Sequence, residues 1–166
     1  RPSYRPRKCE RSVALPRPSY RPRMCERSVA LPAVAVLPRN EDKNGHALAE
    51  LEAIGGPAIT VRLDVTEREA ISGAIYTVER ELGEIDRLVN NAGVATITGG
   101  ILDESPEVRD ATLATHRDAT FLLSKLTAAA MVRRKGGEIT NLASRYSYLC
   151  AGMLPSYGAA KGASCS

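Results

Sequence analysis

Apolar positions change period several times along the chain, and each change marks an element. Ala33-Val-Ala-Val-Leu37 is a continuous apolar run of strand length. Residues 41 to 54 follow with Ala47, Leu48, Leu51 and Ile54 at helical spacing, and Gly55-Gly56 stops them. Ala58-Ile-Thr-Val-Arg-Leu63 predicts a second strand, ending in Asp64-Val65-Thr66. From about Glu67 to Leu82, Ile71, Ala74, Ile75 and Val78 share one helical face, which Gly83 closes. Asp86-Arg-Leu-Val89 reads as a strand running into Asn90-Asn91-Ala92-Gly93. A long helix is predicted from roughly Glu107 to Lys135, and Glu138-Ile-Thr-Asn-Leu142 as the strand before Ser144. Strands alternating with helices at this spacing predict a parallel sheet with helices on both faces.

The first 32 residues break this pattern. Arg1 to Pro16 reads RPSYRPRKCERSVALP, and Arg17 to Pro32 repeats it with Met24 in place of Lys8. Residues 1–32 hold nine Lys/Arg against two Glu, a net of +7, whereas residues 33–166 hold fourteen against seventeen, a net of −3. With proline at six positions, this basic tail is expected to be disordered or extended. Its arginines suit contact with RNA or DNA phosphates, and Tyr4 and Tyr20 suit stacking on bases. As a transit peptide it has the arginine content, but its prolines forbid the amphipathic helix. A near-perfect tandem copy also points to a recent rearrangement at the gene level, with no selected function of its own. Two regions are therefore expected, the tail at 1–32 and an α/β domain at 33–166.

Composition adds a few bounds. A chain of 166 residues suits one domain, and 43% hydrophobic content is enough for a core. One Phe and no Trp mean that Ala, Val, Ile and Leu must fill it. No apolar run reaches the length of a membrane-crossing helix. Cys9 and Cys25 are copies of one position, and Cys150 and Cys165 have no metal-ligand spacing, so neither a disulfide framework nor a metal site is expected. A reducing, cytoplasmic setting is the default expectation.

The candidate chemistry lies between Gly136 and Lys161. Tyr157-Gly-Ala-Ala-Lys161 places a lysine one helical turn after a tyrosine, about 6 Å away on the same face, and Ser144 stands thirteen residues before the tyrosine. A phenol is a poor base at neutral pH, and a neighbouring ammonium favours its ionised form. A tyrosine and lysine at this spacing are common by chance, whereas Asn-Asn-Ala-Gly is rare. Together, in this order and at this separation, the two motifs and Ser144 resemble the short-chain dehydrogenase/reductase family.

That resemblance implies an incomplete Rossmann-like, doubly wound parallel sheet and an NAD(P)-dependent oxidoreductase that interconverts an alcohol and a carbonyl. Tyr157 would be the general acid/base, Lys161 its electrostatic support and a ligand of the nicotinamide ribose, and Ser144 a donor to the substrate carbonyl. Asp64 and Val65 would meet the adenine, and Asn91, Ala92 and Gly93 would lie along the adenosine ribose. After the first strand the sequence Leu37-Pro38-Arg39-Asn40 offers no acid for the ribose hydroxyls, and Arg39 leans the cofactor towards NADP over NAD. His116 occupies the place of a family asparagine that holds a water linking the lysine to solvent. A histidine can donate or accept there, so a substitute relay is open, but its ring differs from an amide in size and geometry, and the favoured expectation is that His116 caps or faces solvent and the relay is broken.

Two departures bear on activity. Residues 1–44 contain no glycine, so the glycine-rich loop that cradles the pyrophosphate is missing, along with the first strand and helix that should flank it. That strand is central in the order 3-2-1-4-5-6, and its loss is expected to separate the sheet into two halves, unless Ser12-Val-Ala-Leu15 or Ser28-Val-Ala-Leu31, neither followed by a phosphate-binding loop, fills the slot. The chain also stops five residues after Lys161, where the family continues into its substrate-binding segments. The resemblance thus covers Ala33 to roughly Ala163 and implies a member truncated at both ends. The expected partners are a small-molecule alcohol or carbonyl and a second copy or an intact relative. The alternative is a non-catalytic remnant that binds a protein, or nucleic acid through residues 1–32.

Overall fold

The computed structural model of the chain describes residues 31–40, 44–149 and 152–164, with side chains from residue 48 onward in the first helix. The repeat up to Ala30 and all four cysteines lie outside the described residues. The elements alternate as the periodicity predicts. Strand β1 is Val34–Val36, helix α1 Asn44–Ile54, β2 Ala58–Thr60 and α2 Arg68–Leu82. They are followed by β3 Arg87–Asn90, α3 Pro106–Leu113, α4 Ala119–Arg134, β4 Glu138–Asn141 and α5 Pro155–Ala163.

All strand pairing is parallel, but it forms two separate sheets among the described residues, β1 with β2 and β3 with β4. Val34 stands opposite Ala58 in the first, and Leu88 opposite Ile139 in the second. In a doubly wound sheet one further strand would lie between these pairs, so the division expected from the sequence is present. Ladder bonds show which backbone groups face inward in each pair. Val34 N–H donates to Pro57, and the carbonyls of Val36 and Pro38 accept from Val61 and Leu63. Likewise Asp86 and Asn90 carbonyls accept from Glu138 and Leu142. By alternation, the backbone groups of Ala35, Leu37, Arg87 and Val89 point to the opposite edge.

One apolar layer joins the two pairs. Leu63 beyond β2, Ile71, Ala74 and Ile75 on α2, and Leu123 on α4 form a buried cluster. Leu37, Val61, Val65, Ile85 and Leu88 pack against it from the strands and their ends. The buried face of α2 consists of Ile71, Ala74, Ile75 and Val78, the four positions that its periodicity selects. By contrast, Ile54 is 65% exposed, because it is the last residue of α1 and projects where Gly55 turns the chain away. Val89, in the middle of β3, is 53% exposed, so its face of the strand is not covered as a central strand would be.

The long helix predicted from Glu107 to Lys135 is two helices joined without a break by a π-helical turn, Ala114–Asp118. Ser105 caps its start by accepting from Val108 N–H, with Pro106 in the first turn. Its end falls at Lys135, which takes a left-handed conformation with φ of 60°. Within the π turn, Ala119 N–H reaches back five residues to the Ala114 carbonyl. Arg68 at the start of α2 pairs with Asp118 at 2.8 Å and tethers the turn from outside.

Ile71 is fully buried at the centre of the bridging layer. Ile71→Ala is expected to cost about 2–5 kcal/mol in chemical denaturation. Val132→Ala, on the exposed side of α4, should stay within about 0.5 kcal/mol.

Candidate active site

Three short elements bring the sequence-predicted residues to the carboxyl end of β4. Ser144 follows β4 and caps a 3-10 turn, Arg145–Ser147. Its hydroxyl accepts from Tyr146 N–H at 3.2 Å, while Ser147 Oγ accepts from Ser144 N–H at 3.3 Å. Because the Ser144 oxygen is the acceptor there, its own O–H is left to donate elsewhere. The 3-10 turn is fastened to α5 through Ser147 Oγ, which donates to the Lys161 carbonyl at 2.9 Å. Gly158 lies against this turn, where a Cβ would meet the Tyr146 carbonyl at an ordinary contact distance of 3.5 Å.

Tyr157 and Lys161 lie on one face of α5, as their spacing predicts. Tyr157 is half-buried between two rings. His116 stands edge-on to it at 5.1 Å between centroids, and Tyr146 stands edge-on to it at 6.1 Å. Lys161 is buried, with Nζ 6.0 Å from the centre of the Tyr157 ring and donating to the Leu142 carbonyl. A buried ammonium with no carboxylate partner among the described residues needs such acceptors, and the carbonyl just beyond β4 supplies one.

Contrary to the expectation that it caps or faces solvent, His116 is buried inside the π turn, where it packs against Tyr157. Its Nε2 lies 3.0 Å from the backbone nitrogen of Val94 and 2.7 Å from the Val94 carbonyl oxygen. Burial holds the imidazole below the ordinary histidine range, and the Lys161 ammonium adds to this, while the Val94 backbone opposes it. The ring is therefore neutral at pH 7.

Asp64, Val65, Asn91, Ala92, Gly93 and Arg39 all lie at or beyond carboxyl ends of strands, where ligands bind in parallel α/β sheets. Asn91, Ala92, Gly93 and Arg39 are exposed. Asp64 forms a turn of its own, its Oδ1 accepting from Thr66 N–H at 2.9 Å and from the Thr66 hydroxyl at 2.7 Å. These two bonds, aided by Arg39 and Arg62, hold its carboxyl below the usual range. Val65 points into the core layer. Asn90, beside this turn, is buried and donates to Ser124 at 3.1 Å and to Asn141 at 2.9 Å.

Several residues here were not legible as site residues. Tyr146 carries no motif, yet it is one of the two rings against Tyr157. Ser156 is buried and donates to the Glu104 carboxylate, tying the start of α5 to the loop before α3. Thr98 N–H reinforces that tie by donating to the Met153 carbonyl at 3.0 Å. Only the position of Ser156 next to Tyr157 could have drawn attention to it.

Parallel strands with crossover helices and a tyrosine–lysine pair at the strand ends define a Rossmann-like dehydrogenase architecture. The profile of the short chain dehydrogenase family matches residues 23–166, and the chain belongs to that family. It is 33% identical over 126 residues to 2-dehydro-3-deoxy-D-gluconate 5-dehydrogenase of Formosa agariphila, a match covering 74% of this chain and 46% of that protein. Among solved structures it is similar to a metagenomic short-chain oxidoreductase in complex with NADP, with TM-score 0.74 and 29% identity over 80% of this chain and 59% of the other. It is also similar to a gluconate 5-dehydrogenase from Burkholderia cenocepacia in complex with NADP and tartrate, with TM-score 0.70 and 30% identity over 79% of this chain and 50% of that one. The chain thus spans about half the length of the curated relatives it matches.

The neutral His116 gives a pH dependence of known sign. In the unfolded chain a histidine takes up its proton near 6.5, whereas the folded ring resists it to lower pH. The unfolded state therefore binds more protons below about 6.5, and stability falls as pH drops from there towards the folded value, by at most about 1.4 kcal/mol per pH unit. Thermal melts between pH 7.5 and 5 should show this decline, and His116→Asn should flatten it.

Proposed function

We propose that the chain carries the catalytic half of an NAD(P)-dependent oxidoreductase that interconverts a secondary alcohol and a carbonyl, with NADP favoured. The observation that carries this reading is the packing of Tyr157, Lys161 and Ser144 around the carboxyl end of β4, beside the Asn91–Gly93 turn. In the reductive direction Ser144 donates a hydrogen bond to the carbonyl oxygen and Tyr157 gives it a proton. In the oxidative direction Tyr157 takes that proton back. Lys161, held by the Leu142 carbonyl, steadies the negative charge left on the phenol oxygen. The nicotinamide, when bound, supplies or accepts the hydride.

The residues present fit part of such a cofactor. The exposed Asn91–Gly93 turn allows close backbone approach to a ribose, and the Asp64 carboxylate is fixed in its turn by Thr66. Arg39, exposed beyond β1 and near Asp64, suits a 2′-phosphate. No described residue supplies the glycine-rich cradle for the pyrophosphate. Exposed Phe121 and Val132 on α4 support assembly with a second copy or an intact relative, and the absence of a disulfide framework suits a cytoplasmic setting.

A second reading, a non-catalytic binding protein, is favoured by the division of the sheet into two pairs. Its nucleic-acid form would use the +7 charge of residues 1–32 and would show oligonucleotide binding that weakens steeply with salt.

Fluorescence titration with NADPH and NADH separates these readings. The first predicts saturable binding, tighter for NADPH, and turnover of secondary alcohols that falls at least about 100-fold in Tyr157→Phe while NADPH binding persists. Absence of binding to either nucleotide contradicts it and leaves the binding protein.

A further inference from the structure

His116 meets both halves of the site at once. On one side its ring stands edge-on to Tyr157, 5.1 Å between centroids and 87° between planes. On the other, a single nitrogen, Nε2, faces both polar groups of the Val94 backbone, at 2.7 Å from the oxygen and 3.0 Å from the nitrogen. One ring nitrogen cannot serve both. With a hydrogen it donates to the carbonyl, and without one it accepts from the N–H. The edge of the ring also fills the space over Gly93, where a Cβ would come within 2.7 Å of His116 Cε1. The π turn directs the ring inward, and the ring is buried.

We infer that His116 is a positioning residue, a strut that couples the Asn91–Val94 turn to the Tyr157 ring, and that Gly93 and His116 form a matched pair. The absent side chain of Gly93 is a condition of this packing, independent of any freedom in its backbone. A small change in the seat of the ring moves Val94 and Tyr157 together, because both are held by the same rigid imidazole. The charged group facing the ring from α5 is the Lys161 ammonium, and Tyr157 is the titratable one. The loop after β3 faces it with the backbone of Gly93 and Val94, while Arg117 and Asp118 on its own turn pair with each other and Asp118 with Arg68. The coupling rests on geometry, and its consequence for proton transfer rests on the role proposed for Tyr157.

A double-mutant cycle on the full chain tests the strut without any turnover. Gly93→Ala is expected to lower the melting temperature by about 3 °C or more against His116, and by less than half as much when combined with His116→Asn, whose smaller side chain relieves the collision. Equal losses in the two backgrounds would overturn the matched pair. Should Gly93→Ala not fold, the unsubstituted chain supplies the second measurement. In NMR spectra of the acid titration, the Val94 amide and Tyr157 ring signals should shift with the same midpoint as the His116 ring, and lose that shift in His116→Asn. Independent midpoints, or no shift at either residue, would contradict the coupling. An inactive chain can still pass both tests and an active one can fail them, so their outcome is separate from that of the oxidoreductase reading.

Discussion

Ile71, Ala74 and Ile75 on α2 pack with Leu63 behind β2 and Leu123 on α4, and against them lie Leu37, Val61, Val65 and Leu88 from both strand pairs. This single apolar layer holds together two parallel pairs that share no strand among the described residues. In a continuous sheet, backbone ladders would carry that connection. Here it falls to side-chain packing, where each fully buried aliphatic residue contributes about 1.5–3 kcal/mol. Edge groups of β1 and β3 that no described strand pairs, together with the half-exposed Val89, are the cost of the arrangement, since unpaired parallel edges invite further pairing.

The site sits on the second pair and draws its order from short-range fastening. A capping pair between Ser144 and Ser147, the bond from Ser147 to the Lys161 carbonyl, and the bond from Lys161 to the Leu142 carbonyl form a closed circuit around the end of β4. Gly158 and Gly162 face the 3-10 turn, where a Cβ at either would meet the Tyr146 or Ser147 carbonyl at ordinary contact distance. The π turn adds His116 from the opposite side and closes the space between Tyr157 and the Gly93 turn. Order at the tyrosine therefore depends little on the strand pair β1–β2, whereas any grip on a dinucleotide must span both pairs.

Hydrophobic period made the elements legible. The α2 face was read without error because four apolar residues recur along a helix polar elsewhere. The α1 face was misjudged at Ile54, since period alone does not reveal that a helix ends there beside a turn. The π turn was invisible, because Leu113 is the only large apolar residue between Val108 and Phe121, too few to reveal a shift of face. Buried Thr112 and Thr127 also gave no signal. Their hydroxyls bond the carbonyls of Val108 and Leu123 four residues back, which lets polar residues sit inside the helix packing. Tyr157 and Lys161 were legible because their relation is local to one helix. Tyr146, Glu104 and the Val94 backbone were not, because their contacts depend on loops brought together over long sequence separations.

Among the described residues, the two strand pairs are joined by side chains with no strand between them. Amide hydrogen exchange in the full chain, resolved by residue, tests this arrangement most directly. Slow exchange is expected at Val34, Val36, Leu88 and Asn90, whose N–H groups face their partner strands, and fast exchange at Ala35, Leu37, Arg87 and Val89, whose groups face edges that no described strand pairs. Equal protection of both sets would mean that another strand pairs with those edges, and would contradict it.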